Sequence, residues 1–165
     1  MSKTFFREWE GRKIKTVWRE PNEKLSGPIT QATGFCFTSD NRILIIRKPG
    51  RAWHLPGGHP EDGESLIQTI KREVMEEASV ELSDCHLIGY SEVFYPENPD
   101  EIEGEHYYQA RLACKIKKIN KLRTDPATGI LFERKLVTPQ EFLELIKWPD
   151  AKFLLEKSLK KIKEN

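Results

Sequence analysis

Hydrophobic positions along the chain fall into two periods, and the switches between them mark the elements. Ile14 to Arg19 (I-K-T-V-W-R) alternates in part, and Ile29 to Thr38 is rich in aromatic and β-branched residues, so both stretches predict strands. Ser39-Asp40-Asn41 turns the chain into Arg42 to Arg47, whose centre, Ile43-Leu44-Ile45-Ile46, is apolar on both faces as in a strand inside a sheet. Pro49-Gly50 ends that run, and Trp53-His54-Leu55 predicts a short strand before the loop Pro56-Gly57-Gly58-His59-Pro60. From Ser65 to Ala78 no Gly or Pro intervenes, and Leu66, Ile67, Ile70, Val74 and Ala78 recur with the period of an amphipathic helix. Strands resume at His86 to Tyr95 and His106 to Ile116, on either side of an acidic, proline-containing loop from Pro96 to Glu105. After a turn at Asp125 to Gly129, Ile130 to Val137 predicts a last strand. Thr138 as N-cap, Pro139 at the first helical position and Glu141 three residues after the cap then start a helix. Two closing helices are expected, Pro139 to Ile146 and Asp150 to Ile162, separated by Trp148-Pro149. No repeat, low-complexity segment or linker interrupts the chain, so one domain over residues 1–165 is expected.

The long central helix carries charge where a structural helix would not. At ~100° per residue from Glu64, the apolar side chains span an arc from roughly 200° to roughly 320°, with Glu77 inside it near 220° and Glu73 at its rim near 180°. A buried carboxylate is normally paired, protonated or bound to metal, because isolated burial of the charge is too costly. Glu73, Glu76 and Glu77 share one region of the helix surface, Glu64 adds a fourth charge, and Arg72 offsets only part of the sum. A hard divalent cation can offset the rest. Magnesium suits a site that supplies a few carboxylates and leaves positions for water and phosphate. The competing reading is a solvated face of Glu and Lys/Arg pairs, against which Glu77 in the apolar arc argues.

Bulk charge removes other functions. Lys+Arg 27 against Asp+Glu 26 leaves a formal charge of +1, so no global field draws the chain to nucleic acid or an anionic membrane, and phosphate recognition must be local. Cys36, Cys85 and Cys114 are odd in number and lack C-x-x-C spacing, so they read as core thiols in a reducing compartment. Met1 to Glu10 carries charges where a signal peptide needs an apolar stretch, and no apolar run approaches the ~20 residues of a membrane span. A soluble cytoplasmic protein is expected.

Gly58, five residues, Glu64, seven residues, then Arg72-Glu73-Val74-Met75-Glu76-Glu77-Ala78-Ser79-Val80 resembles the Nudix box, G-x5-E-x7-R-E-U-x-E-E-x-G-U with U aliphatic. Eight of the nine specified positions agree, and Ser79 stands where the last glycine belongs. Trp53 to Gly58 resembles the W-x-L-P-G-G lead-in of many members. The resemblance implies an α/β fold, the family's α/β/α sandwich with a mixed central sheet. It implies that Glu73, Glu76 and Glu77 hold magnesium or manganese, with Glu64 nearby, the Gly57 carbonyl as a further ligand and Arg72 orienting a carboxylate. The family's glycine follows the helix in a left-handed conformation that glycine adopts most easily, so Ser79 alters the turn but removes no ligand.

The implied reaction is hydrolysis of a diphosphate, in which metal ions neutralise the phosphate oxygens and acidify a bound water. A glutamate then takes the proton. Family members differ in that base, so Glu73, with Arg72 and Glu76 beside it, and an acid of the loop from Pro96 to Glu105 both stay open. Glu101, Glu103 and Glu105 are candidates for the acidic residue that many members supply from outside the box. His54, Gly58 and His59 are candidates to contact phosphate, and Tyr95 and Tyr107 to stack on a base, against the plainer reading of loop and core residues. The short chain and its W-x-L-P-G-G entry look like the MutT-type branch, which ranks nucleoside triphosphates first. Pro96, sixteen residues after Val80, ranks ADP-ribose or nucleotide sugars second, and Tyr95 ranks dinucleoside polyphosphates or RNA caps third. The expected partner is a small nucleotide, with no nucleic acid or membrane, and homodimerisation is left open. A non-catalytic nucleotide-binding module is the alternative from another class, and the retained Glu64, Glu73, Glu76 and Glu77 favour the enzyme.

Overall fold

The computed structural model describes residues 2–94 and 106–165; Tyr95, Pro96, Glu101, Glu103 and Glu105 lie outside the described residues. Eight strands, β1 (Thr4–Trp9), β2 (Arg12–Arg19), β3 (Ile29–Phe37), β4 (Ile43–Arg47), β5 (Gly57–Gly58), β6 (Val80–Phe94), β7 (His106–Ile119) and β8 (Glu133–Val137), join one sheet. Its order is β1-β2-β6-β7-β3-β4-β8, with β5 paired to β3. Only β3 and β7 run parallel among the described pairs, so the sheet is mixed.

Alternation along the strands sends side chains to two separate cores. On one face, Ile70, Val74 and Ala78 of helix α1 (Leu66–Ala78) pack on Cys36, Leu44, Ile46, Tyr108 and Leu112. On the other, Phe142 of α2 (Pro139–Leu145) and Leu154 and Leu155 of α3 (Ala151–Glu164) pack on Phe35, Phe37 and Ile45. This is the expected α/β/α sandwich. The unbroken apolar run of β4 follows directly: β4 lies between β3 and β8, and Ile43, Leu44, Ile45 and Ile46 are at most 1% exposed. The three cysteines are free and buried, and they line up across the sheet, since Cys36 and Cys85 both register with Cys114.

Three local expectations differ from the structure for physical reasons. Thr4–Trp9 carries no clean alternation because β1 is an edge strand with most of its length exposed, yet it pairs with β2. β6 begins at Val80 rather than His86, and register shifts between Glu81 and Leu82 and between Leu82 and Cys85 scramble the period-two signal. Trp53-His54-Leu55 makes only one bridge, His54 to Ile46, whereas the glycine pair 57–58, which carries no strand propensity, forms β5.

Helix α1 is closed at both ends. Ser65 and Gln68 form a reciprocal capping box, and Ser79 ends the helix in the left-handed region at φ 55°, ψ 40°. A side chain there costs about 1 kcal/mol or more. Tertiary bonds offset that: Ser79 Oγ accepts from the Arg123 amide at 3.0 Å, and its carbonyl accepts from the Asn120 amide at 3.0 Å. Serine thus replaces glycine by anchoring the β7–β8 connection. Ser79→Ala, which keeps the conformational cost and deletes the hydroxyl acceptor, is expected to lower stability by about 1 kcal/mol in urea unfolding. Ser79→Gly should stay closer to the parent, and an alanine variant as stable as the parent would refute this account.

Candidate active site

The short pairing of β5 with β3, Gly57 opposite Thr33 and Gly58 opposite Ala32, fixes the glycine turn against helix α1. Gly57 is needed for that approach, and Gly58 leaves room for the Glu73 carboxylate. A Cβ on Gly57 would lie 2.2 Å from the Ala32 carbonyl oxygen, and one on Gly58 would lie 2.4 Å from Glu73 Oε1. The Gly57 amide donates to Glu77 Oε1 at 2.9 Å. Glu77 is 8% exposed, and its carboxyl is pushed up to about 8, mainly by burial and further by the charges of Glu73, Asp125 and Glu76, against the Gly57 bond.

Arg72 gathers the remaining acids. Its Nε and one terminal nitrogen clamp Glu64 at 2.8 and 2.9 Å, its other terminal nitrogen donates to Glu73 at 2.8 Å and Glu76 at 3.2 Å, and the last N–H goes to the His59 carbonyl at 3.0 Å. Glu64 also accepts from the Glu61 amide and the Thr69 hydroxyl, and the Arg72 bonds foremost hold its carboxyl down at about 2. Glu76 is instead raised, first by burial, with the Arg72 charge opposing and Glu73 and Asp125 reinforcing.

The structure thus brings Glu64, Arg72, Glu73, Glu76, Glu77, Gly57 and Gly58 together. It adds Asp125, 4% exposed, whose carboxylate accepts from the Ala127 amide while its charge acts on Glu76 and Glu77. In the sequence Asp125 reads only as the start of a turn; nothing in its spacing links it to the helix. His59 reaches the cluster through its backbone, its residue otherwise being exposed. His54 bonds through Nδ1 to the Leu55 carbonyl and, with Tyr107, lines a cleft of about 650 Å³ on the opposite, α2–α3 face of the sheet.

These donors suit a hard divalent ion. Three of the five acids hydrogen-bond one guanidinium, Glu76 and Glu77 are raised first by burial and then by neighbouring negative charge, and all the donors are oxygen. Among the described residues no three His, Cys, Asp or Glu side chains already form a metal cage. The reason is visible: Arg72 holds Glu64, Glu73 and Glu76, and the Gly57 amide holds Glu77, so ligation requires those carboxylates to turn from these partners.

The chain belongs to the Nudix family, the family model described as NUDIX domain matching residues 28–157. It is 32% identical over 62 residues to the uncharacterized Nudix hydrolase YvcI of Bacillus subtilis (strain 168), covering 37% of this chain and 39% of that protein. It is equally 32% identical over 62 residues to an 8-oxo-dGTP diphosphatase of Proteus vulgaris, covering 34% of this chain and 55% of that one. The match therefore spans less than two thirds of either relative. In fold, the chain is similar to a variant of the Bacillus subtilis pyrophosphohydrolase BsRppH, with TM-score 0.68 and 17% identity over 98% of this chain and 96% of that one. It is also similar to a NUDIX hydrolase from Nitrosomonas europaea, with TM-score 0.62 and 21% identity over 81% and 90% of the two chains. Among the described residues no helix is long and apolar enough to cross a membrane.

Glu77 gives a pH signature to the metal-free protein. Between its ordinary value of 4.5 and its folded value of about 8, the folded chain keeps a proton that the unfolded chain has released, so raising pH in this window favours unfolding. Glu64, depressed to about 2, has already contributed fully above 4.5 and does not mask the trend. In EDTA, the melting temperature should fall as pH rises through this window, and Glu77→Gln should flatten that part of the profile. A parent protein whose Tm is level or rising there would contradict the burial of Glu77.

Proposed function

We propose that this protein is a magnesium-dependent pyrophosphohydrolase that cleaves a diphosphate bond in a nucleotide, with nucleoside triphosphates as the preferred class and residues 1–165 working as one domain. The observation that carries the reading is the buried Glu77 carboxyl held on the Gly57 amide beside Glu73 and Glu76, an acid that burial keeps protonated in the protein alone and that a bound cation would ionise.

Glu73, Glu76 and Glu77, with Glu64 and the Gly57 carbonyl, would hold magnesium or manganese, which when bound supplies neutralisation of the diphosphate oxygens and acidification of water. The chain's own residues set the geometry. Arg72 orients Glu64, Glu73 and Glu76, and the absence of a side chain at Gly58 keeps space beside the Glu73 carboxylate. Glu73 accepts the proton of the attacking water, and the diphosphate crosses the Gly57-Gly58 turn with the nucleoside in the cleft near His54 and Tyr107. Support for triphosphates comes from the relatives named 8-oxo-dGTP diphosphatase in Proteus vulgaris and in Buchnera aphidicola, the latter 28% identical over 99 residues. ADP-ribose or a nucleotide sugar is the second choice, resting on Pro96.

EDTA should abolish turnover, and Glu76→Gln and Glu77→Gln should each lower kcat about a hundredfold while the fold persists. Full activity in a demonstrably metal-free preparation, or normal kcat in both variants at saturating magnesium, would remove the carboxylates from the metal site. For substrate class, kcat/KM compared between triphosphates, oxidised guanine forms included, and ADP-ribose should favour the triphosphates. A preference of more than about tenfold for ADP-ribose, or ~1.4 kcal/mol in the transition state, would reverse the ranking.

A further inference from the structure

The cleft on the α2–α3 face has a charged floor that the carboxylate cluster does not explain. Arg111 of β7 is 7% exposed, yet among the described residues its guanidinium hydrogen-bonds only neutral oxygens: Ser91 Oγ at 3.1 Å, Thr33 Oγ1 at 3.0 Å and Gln109 Oε1 at 2.7 Å. Those three bonds use one N–H from each nitrogen and leave two of the five donors. Burial pushes Arg111 down to about 10, with Asp150 opposing and Arg7 reinforcing. Arg7 of β1 lines the same cleft, its charge is felt by Arg111 as repulsion, and its Nε is buried with no hydrogen-bond partner among the described residues.

Water could meet the hydrogen bonds of these groups but not their charge. Asp150, at the start of α3, and Glu8 also line the cleft, and Asp150 attracts Arg111. Neither forms an ion pair with Arg7 or Arg111 within 4.0 Å among the described residues. Lys147 adds a third cation to the lining. A buried guanidinium that has hydrogen-bond partners but lacks an anion is costly to the folded chain unless a ligand completes it. Register fixes how far that ligand must reach. Thr33 is opposite Gly57 on one side and Arg111 on the other, so Arg111 stands two strands, roughly 10 Å, from the backbone that holds Glu77.

We propose that this cleft binds a second anionic group of the substrate, a phosphate or a carboxylate outside the diphosphate that is cleaved, and that Arg111 and Arg7 hold it. The inference rests on the pyrophosphohydrolase reading for the word substrate, but not for the binding site itself. Arg111, its plane held by Thr33, Ser91 and Gln109, keeps one N–H on each terminal nitrogen for the oxygens of an anion. Arg7 approaches from the edge strand and adds its unsatisfied Nε–H.

The test is calorimetric titration in EDTA, where the carboxylate cluster lacks metal and hydrolysis does not occur. Three matched pairs distinguish the sources of the anion: GTP against GDP for a terminal phosphate, 2′-phospho-ADP-ribose against ADP-ribose for a sugar phosphate, and UDP-glucuronate against UDP-glucose for a carboxylate. In at least one pair the more anionic member should bind at least tenfold more tightly. Arg111→Gln and Arg7→Gln should each erase that difference while changing binding of the less anionic member no more than about threefold, the scale of a neutral change. Arg7 lies on an exposed edge strand, so its variant decides the matter even if Arg111→Gln does not fold. Equal affinities within all three pairs, a preference that survives Arg7→Gln, or no binding of any compound at roughly 1 mM would overturn the proposal. Failure of metal-dependent hydrolysis with an intact anion preference would instead overturn only the proposed reaction.

Discussion

Arg72 is the residue on which the candidate active site depends. A guanidinium has five N–H groups, and here all five are used: two on Glu64, one each on Glu73 and Glu76, and one on the His59 carbonyl. The bonds tie the loop after β5, Glu64 just ahead of the N-cap Ser65 and two turns of the helix itself to one planar group. Lysine has three donors and no fixed plane, so it cannot replace this arrangement. The same contacts explain why Glu64, Glu73 and Glu76 tolerate one another on a single stretch of chain, while Glu77 is held by the Gly57 amide. They also explain why the carboxylates do not converge in the absence of a stronger cation, since Arg72 already draws them aside.

Much of this was legible in the sequence because it is local. Helix α1, its start at Ser65 and the intrusion of Glu77 into the apolar arc follow from residue spacing, and the structure buries Glu77 as that spacing requires. The aromatic and β-branched content of β3 and the doubly apolar run of β4 likewise reported their burial. The box motif supplied the remainder, linking Gly58 to Glu64 and Glu73 across a turn whose geometry no periodicity reveals. Where local pattern was weak, the reading shifted: β5 is made of two glycines, and the bulged start of β6 carries no clean alternation.

The residues that escaped notice are placed by the topology of the sheet. Asp125 approaches Glu76 and Glu77 because the chain after β7 folds back under the end of α1, where Ser79 anchors it. Arg111 sits within an otherwise ordinary strand sequence, and only the pairing of β7 with both β3 and β6 sets it opposite Thr33 and within side-chain reach of Ser91. The preceding residues Tyr108 and Ala110 face the opposite core, so composition alone gave no reason to separate Arg111 from the surface lysines that follow it.

The parallel pairing of β3 with β7 has a consequence for how the chain reaches this structure. The bond between Gly57 and Glu77 closes a separation of 20 residues, whereas that between Thr33 and Arg111 closes 78. Loop closure grows costlier with length, and non-local pairing is the slow part of assembling such sheets. A chain growing from its N-terminus can therefore gather the glutamates around Arg72 long before the floor of the cleft exists. During that interval β3, six of whose nine residues end up buried, waits with its central edge uncovered. The step that commits the molecule to its final form is the arrival of β7, and until then the nascent protein is exposed to strand-to-strand association with its neighbours.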